Sequence, residues 1–259
     1  MDLGIAGRRA IVAASSSGLG LACATSLAQE GVHVVLNGRN EERLLAAADL
    51  LRSATGVEVK TVVGDIALDE TRAALLAACS EPDIVITNNS GPNPGKFTTW
   101  SSEDWHAAID LNMLAPLLLI RDVIDGMVER KFGRIVNITS AMVKTPLSPM
   151  GLSSAARTGL ISAVKGISRE VVSSNVTINN LLPERINTGR QQQMAKLTAD
   201  FKKISVEEAY DEMAQSIAAK RIGRPEEVGD MCAYLCSVQA SYISGQSIQL
   251  DGGSYAGIF

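Results

Sequence analysis

Short apolar runs, most of them rich in Val and Ile, recur along the chain at 10–14, 32–36, 57–63, 84–87, 134–138, 176–181 and 247–250. Between them lie Ala- and Leu-rich stretches with helical periodicity near 18–30, 41–54, 68–79, 101–130, 150–174 and 225–237. The strand runs are continuously apolar rather than alternating, which means burial on both faces. Strands of that kind separated by helices predict an α/β fold, a parallel sheet covered by helices on each side. No linker, internal repeat or low-complexity segment breaks the rhythm, so 1–259 reads as one domain. The one long departure is 183–224, polar and helical, set before the last helix and strand. An insertion at the C-terminal edge of such a sheet lies over the ligand crevice, so the segment near 184–222 is expected to cover a substrate.

The first strand-to-helix passage carries candidate chemistry. The apolar run at 10–14 meets Ser15, Ser16 and Ser17, then Gly18-Leu19-Gly20, and enters a helical pattern at once. Strand, small-residue turn and helix gather free backbone N–H groups and a positive helix end around one small space, where a phosphate fits without side-chain charge. A Cβ at Gly18 or Gly20 would hold the backbone away from a pyrophosphate or from the strand. A Gly-x-Gly turn alone is common, so the ends of the later strands carry the decision. The second strand ends in Leu36-Asn37-Gly38-Arg39-Asn40. In a dinucleotide fold this point faces the adenosine ribose, where an acid binds a free 2′-OH and an Arg binds a 2′-phosphate. The acid is missing and Arg39 is present, which favours NADP over NAD. Asp65, ahead of Ile66, ends the third strand with a carboxylate placed to accept from an adenine amino group. Asn88-Asn89-Ser90-Gly91 follows the fourth strand with small polar residues, where the backbone must pass close to a ligand.

Composition narrows the partners. A chain of 259 residues that is 46% hydrophobic has ample material for a core, and a net charge of −4 with no charge block argues against nucleic acid. The longest apolar stretch, 111–120, contains Asn112 and Pro116 and is too short to span a bilayer, so no membrane partner is expected. No basic segment followed by an apolar run opens the sequence, which points to a cytoplasmic protein. Cys23, Cys79, Cys232 and Cys236 sit in helical patterns without a Cys-x-x-Cys and read as reduced core thiols. His33 and His106 are far apart and read as structural, so no metal site is expected.

Taken together, the motifs resemble those of the classical short-chain dehydrogenases/reductases, most of all the 3-oxoacyl-carrier-protein reductase branch, over essentially the whole length. The carriers are Ala14-x-x-x-Gly18-x-Gly20, Asp65-Ile66, Asn88-Asn89-Ser90-Gly91, Asn137-Ile138-Thr139-Ser140, and Pro183 with Thr188. The tail adds Gly223-Arg224-Pro225-Glu226-Glu227-Val228, Tyr242-Ile243-Ser244-Gly245-Gln246 and Asp251-Gly252-Gly253. The resemblance implies a doubly wound Rossmann-type domain with a seven-stranded parallel sheet, a nicotinamide cofactor across the strand ends, and a homotetramer. The cofactor contacts it implies are Ala14, Ser16, Ser17, Gly18, Leu19, Gly20, Arg39, Asp65, Ile66, Asn89, Ser90, Gly91, Ile138, Arg157, Pro183, Ile186 and Thr188. A carbonyl or hydroxyl compound would be the substrate.

The catalytic positions depart from the family's pattern. Asn112 lies four residues before Pro116, and a proline within a helix frees the carbonyl four residues back, which can then hold a water. That is the role this Asn resembles in the family's proton relay. Ser140 follows a buried strand, and its hydroxyl is placed to bond a substrate carbonyl. The family's Tyr, thirteen residues after that Ser, falls on Ser153, and its Lys, four further on, falls on Arg157. Positions i and i+4 share a helix face, so Arg157 lies beside Ser153. A serine is a far poorer acid than a phenol of pKa about 10, and losing a positioned acid costs about 10²–10⁴ in rate. Lys144 is the first candidate to supply the proton instead, with Tyr210 on the insertion as the second. Lys96 and Lys144 would also suit an anionic substrate. Ala14 and Glu184 stand where the family has glycines, and each is expected to add bulk near the cofactor. Two functions stay open at this level: an NADP(H)-dependent reductase with an altered acid, and a nucleotide-binding or regulatory member of the fold that no longer turns over.

Overall fold

The computed structural model describes residues 1–258. Seven strands, β1 (Arg9–Val12), β2 (His33–Gly38), β3 (Val59–Val63), β4 (Ile84–Thr87), β5 (Gly133–Ile138), β6 (Val176–Pro183) and β7 (Ser247–Leu250), form one sheet. They pair in the order β3-β2-β1-β4-β5-β6-β7, every pair parallel. The chain winds outward from β1 to β3, then returns to place β4 on the other side of β1. The winding direction therefore reverses between β1 and β4, which opens a crevice beyond their carboxyl ends.

The helices among the described residues are α1 (Gly18–Gln29), α2 (Glu41–Thr55), α3 (Asp69–Ala78), α4 (Ser102–Ile109), α5 (Ala115–Glu129), α6 (Gly151–Val171), α7 (Gly189–Lys202), α8 (Val206–Gln215) and α9 (Pro225–Cys236). Two cores follow from the alternation of side chains along the strands. Ala10 and Val12 point into one, with Leu27, Leu44, Val228 and Cys232 from α1, α2 and α9. Ile11 and Ala13 point into the other, with Leu75, Leu119 and Leu160 from α3, α5 and α6. Burying a Leu or Ile of this kind contributes about 2 kcal/mol, so a sheet apolar on both faces is stable only between two helical layers. All four cysteines are buried free thiols, and the His33 ring accepts from the Glu58 N–H at 3.1 Å.

The structure refines three expectations. β2 runs on through Asn37 and Gly38, which pair with Val62 and Val63 of β3. The apolar pattern ended earlier because Asn37 is a polar residue in a fully buried position. The single helix expected over 101–130 is instead α4, a π-helical turn at Asp110–Leu114, and α5. Pro116 follows the π-helical turn within one unbroken helical run, and the widened turn before it accommodates a residue that has no N–H to give. The insertion carries α7 and α8, the latter started by a capping box from Ser205 and Glu208. The apolar chain end at 256–259 includes Phe259, which lies outside the described residues; Ile258 is exposed. No described helix is long and apolar enough to cross a membrane.

Candidate active site

A cavity of about 750 Å³ opens at the crevice, with walls from the ends of β1, β2, β4, β5 and β6 and the first turns of α1, α6 and α7. Its size suits a small-molecule site.

The first turn is built tightly. Ser15 donates its hydroxyl to the Val12 carbonyl at 2.7 Å, and its N–H meets the Asn37 carbonyl at 2.7 Å. The Asn37 side chain accepts the Ala14 N–H at 3.2 Å and donates to the carbonyls of Val62 and Gly64 at 3.1 Å each. One buried amide thus ties the turn to the two strands beside it. Asn88 donates to the Ala14 carbonyl at 3.1 Å from the other side. A Cβ on Gly20 would lie 2.3 Å from that carbonyl, so α1 reaches the turn only because residue 20 has none. Gly18 is required for another reason: its φ is +59°, with only the Thr188 side chain near, at 3.8 Å. Ala14 itself sits at φ +45°, a conformation that favours glycine. Ser17, ahead of α1, makes no side-chain cap bond, so the first N–H groups of the helix face the cavity without a cap.

At the far side of the turn, the Arg39 guanidinium lies 3.6 Å from an Asp65 carboxylate oxygen, and Arg43 lines the same end of the cavity. The other Asp65 oxygen accepts the Ala67 N–H at 3.0 Å. Gly18, Leu19, Arg39, Asp65, Ile66, Asn89, Ser90, Gly91, Ile138, Pro183, Ile186 and Thr188 all line the cavity, as do Ala14, Ser16 and Ser17. An uncapped helix start, an open glycine turn, and two arginines, Arg39 just after β2 and Arg43 in the first turn of α2, fit a dinucleotide with a phosphorylated ribose.

Ser140 and Ser153 line the cavity from β5 and α6. The Ser140 oxygen accepts the Met142 N–H at 3.2 Å, which leaves its hydrogen free to donate. Ser153 is buried, and its oxygen accepts from Arg157 Nε at 3.2 Å, so its hydrogen is free as well. Arg157 also donates to the Ile138 carbonyl at 2.9 Å and, at longer range, to the Asn89 carbonyl at 3.4 Å. Burial, and then the charge of Arg190, pushes the Arg157 pKa down to about 10. Asn112, in the π-helical turn, is 1% exposed, and neither its amide oxygen nor its nitrogen has a protein partner. A buried amide in that condition is a place for a water. The neighbouring turn residue, Leu111, gives its carbonyl to the Asn89 side chain, which ties the turn to the end of β4.

Other candidates fall elsewhere. Lys144 does not line the cavity; its ammonium stands over the Tyr255 ring, 5.4 Å from the centroid. Tyr210 donates to the Asn187 side chain at 2.8 Å, burial raises its pKa, and it too is outside the cavity wall. Lys96 is exposed on the loop after β4. Glu184 does not approach the crevice, because Pro183 and Arg185 take the cavity side of the extended chain. It faces a second cavity of about 270 Å³ beside Asp251, and burial raises its pKa. Two residues that contribute to the site were not singled out by sequence. Asn37 braces the first turn, and Arg190 holds the start of α7 to the loop after β4 through the Pro92 carbonyl at 2.8 Å. The signal for Arg190 was its place two residues after Thr188.

A family model described as enoyl-(acyl carrier protein) reductase matches residues 13–255. The NADPH-dependent reductase BacG of Bacillus subtilis is 33% identical over 256 residues, covering 97% of this chain and 99% of that protein. The 3-oxoacyl-[acyl-carrier-protein] reductase FabG of Rickettsia felis is 28% identical, over 96% of this chain and 97% of its own length. Among solved structures, L-sorbose reductase from Gluconobacter frateurii, complexed with NADPH and L-sorbose, superposes with a TM-score of 0.94 at 29% identity and full coverage of both chains.

Proposed function

The chain belongs to the classical short-chain dehydrogenase/reductase family, and on that premise we propose that it is an NADP(H)-dependent oxidoreductase that reduces a carbonyl compound, a 3-oxoacyl derivative or similar small ketone, with an atypical proton donor. The NADPH named with BacG and with L-sorbose reductase supports the cofactor. The N–H groups at Ser16, Ser17, Gly18 and Leu19 would hold the pyrophosphate, with Ala14 and Gly20 keeping the turn close. Arg39 would take the 2′-phosphate, and Asp65 and Ile66 the adenine. Asn89, Ser90 and Gly91 would pass beside the ribose, and Ile138, Pro183, Ile186 and Thr188 would flank the nicotinamide. The nicotinamide, when bound, supplies the hydride. The whole chain serves as one domain, and the placing of Thr188, Gly189, Arg190 and Gln191 in the cavity wall supports 184–222 as the cover of the substrate.

Ser153 and Arg157 stand for the tyrosine and lysine of the family. The observation that carries the reading is their mutual bond within the cavity: Arg157 Nε gives its hydrogen to Ser153, and Ser153 keeps its own to give. Ser140 is in the same condition. Two hydroxyl donors backed by a buried guanidinium stabilise negative charge growing on a carbonyl oxygen, and each well-placed donor of this kind is worth about 3 kcal/mol. Neither serine is an acid of the strength of a phenol, so a serine that protonates the growing alkoxide must recover its own proton from solvent, and Asn112, a buried amide without a protein partner, would hold one water of that path. Lys144, the sequence-based first choice, loses ground to its position over Tyr255. NADPH oxidation should be screened with 3-oxoacyl thioesters, diketones and quinones. Ser153→Ala should then lower turnover about 10²-fold on the substrate found, with Lys144→Met near the parent. The reverse pattern would restore Lys144 as the donor. The missing phenol favours one second reading, a nucleotide-binding protein without turnover, which is correct if NADPH binds and no carbonyl is reduced.

A further inference from the structure

The charged side chains of the cavity wall are Arg39, Arg43, Arg157, Arg185 and Arg190 against Asp65 alone. Arg39, just after β2, stands 3.6 Å from Asp65, Arg43 lies in the first turn of α2, and Arg185 lies 3.9 Å from Glu184. Arg157 and Arg190 are different. They lie on the side of β5 and α7, with Ser140 and Ser153, and neither joins an ion pair among the described residues. One short loop touches both: Arg190 donates to the Pro92 carbonyl at 2.8 Å and to Asn93 at 3.3 Å, while a Cβ on Gly91 would lie 3.8 Å from Arg157 Nη2. Arg157 has only neutral acceptors and keeps one Nη1 hydrogen unused among the described residues, while Arg190 keeps its Nε hydrogen and one on Nη2. Arg134, also buried, does not line this cavity.

Two cations held close with no anion between them are unfavourable, and burial sharpens the cost. The repulsion shows in the lowered Arg157 pKa, to which Arg190 contributes after burial. An anion entering this end of the crevice relieves it, and a carboxylate matches the planar fork of a guanidinium. We propose that the substrate is a keto acid, its free carboxylate held between Arg157 and Arg190 while its carbonyl faces Ser140 and Ser153. This rests on the reductase reading and names its substrate class. Arg190 serves affinity and orientation; it takes no part in the proton path.

The test is calorimetric titration of the NADP⁺-saturated protein with short 2-oxo and 3-oxo acids, each paired with its methyl ester. At least one acid should bind about tenfold or more tightly than its ester. Arg190→Met should abolish that difference, Arg190→Lys should keep part of it, and NADP⁺ affinity should stay unchanged in both. Equal binding of acid and ester across the series overturns the proposal, and needs no variant to show it. A parallel loss of NADP⁺ affinity in Arg190→Met also overturns it, since the anion is then a cofactor phosphate. Because the titration reads binding alone, acids that bind without being reduced would contradict the reductase reading and leave the carboxylate site standing.

Discussion

Removing the Arg39 side chain should erase the preference for NADPH over NADH. A guanidinium and a phosphate about 4 Å apart attract by about 1 kcal/mol in water and by about 4 kcal/mol at an effective dielectric near 20. The Arg39 side chain is 67% exposed, so the low part of that range applies, and salt screens it further. Adding one charge-assisted hydrogen bond brings the net to about 1.5–2 kcal/mol, a factor of about 10–30 in affinity. Asp65 adds to the loss: its carboxylate lies 3.6 Å from the Arg39 guanidinium and would face the 2′-phosphate unshielded in Arg39→Ala. Arg43, on the same wall, keeps a remnant of the attraction. Binding followed by nucleotide fluorescence should give NADPH about tenfold or more tighter than NADH in the parent protein. In Arg39→Ala the ratio should fall below about threefold, with NADH affinity unchanged. Raising the salt to 1 M should shrink the parent's ratio, because the screening length falls to about 3 Å. Equal affinities in the parent, or a preference that survives Arg39→Ala intact, would refute the reasoning.

Gly20→Ala should cost about 1–3 kcal/mol in urea unfolding and weaken NADPH binding, because its Cβ would meet the Ala14 carbonyl at 2.3 Å and the Asn88 amide at 2.9 Å; a neutral result contradicts the packing argument. The Arg221 guanidinium, followed by the Arg224 N–H, holds the Glu227 pKa down to about 2. The unfolded value is about 4.3, so this stabilisation is full above it and is lost as pH falls toward 2. Glu227→Gln should therefore cost about 1 kcal/mol at pH 7, after discounting for its solvent contact, and lose part of the acid-limb dependence; superimposable curves for the two proteins contradict it. Leu114, Leu147, Val172 and Ile258 are exposed apolar side chains, and light scattering should find a homotetramer; a stable monomer at micromolar concentration contradicts that.

The sheet and its helical layers were legible because strands buried on both faces write continuous apolar runs, as at 134–138. The glycine turn and Arg39 were legible because their chemistry is local: a small residue or a cation at a strand end means the same thing in any such sheet. What periodicity could not show was the π-helical turn. Asp110–Leu114 keeps nearly the same apolar spacing as a helix, and only Pro116 marked it. Glu184 was placed near the cofactor by its position next to Pro183, but alternation along an extended chain sends it to the side away from Pro183 and Arg185, toward the second cavity. Lys144 and Arg190 show a further limit. A loop lysine four residues from Ser140 looked close and turned to Tyr255, while an arginine inside a polar insertion reached the cavity through a fold contact with Pro92.

The central claim is that Ser153, backed by Arg157, serves carbonyl reduction with NADPH. Its most direct test is transfer of deuterium from NADPH labelled at the reactive ring carbon, followed by mass spectrometry of the product for the parent and Ser153→Ala. The account predicts label on the former carbonyl carbon in the parent. In Ser153→Ala it predicts transfer slowed about 10²-fold at unchanged NADPH affinity. Label transferred equally fast without the serine hydroxyl, or NADPH bound tightly with no label reaching any carbonyl, would contradict it.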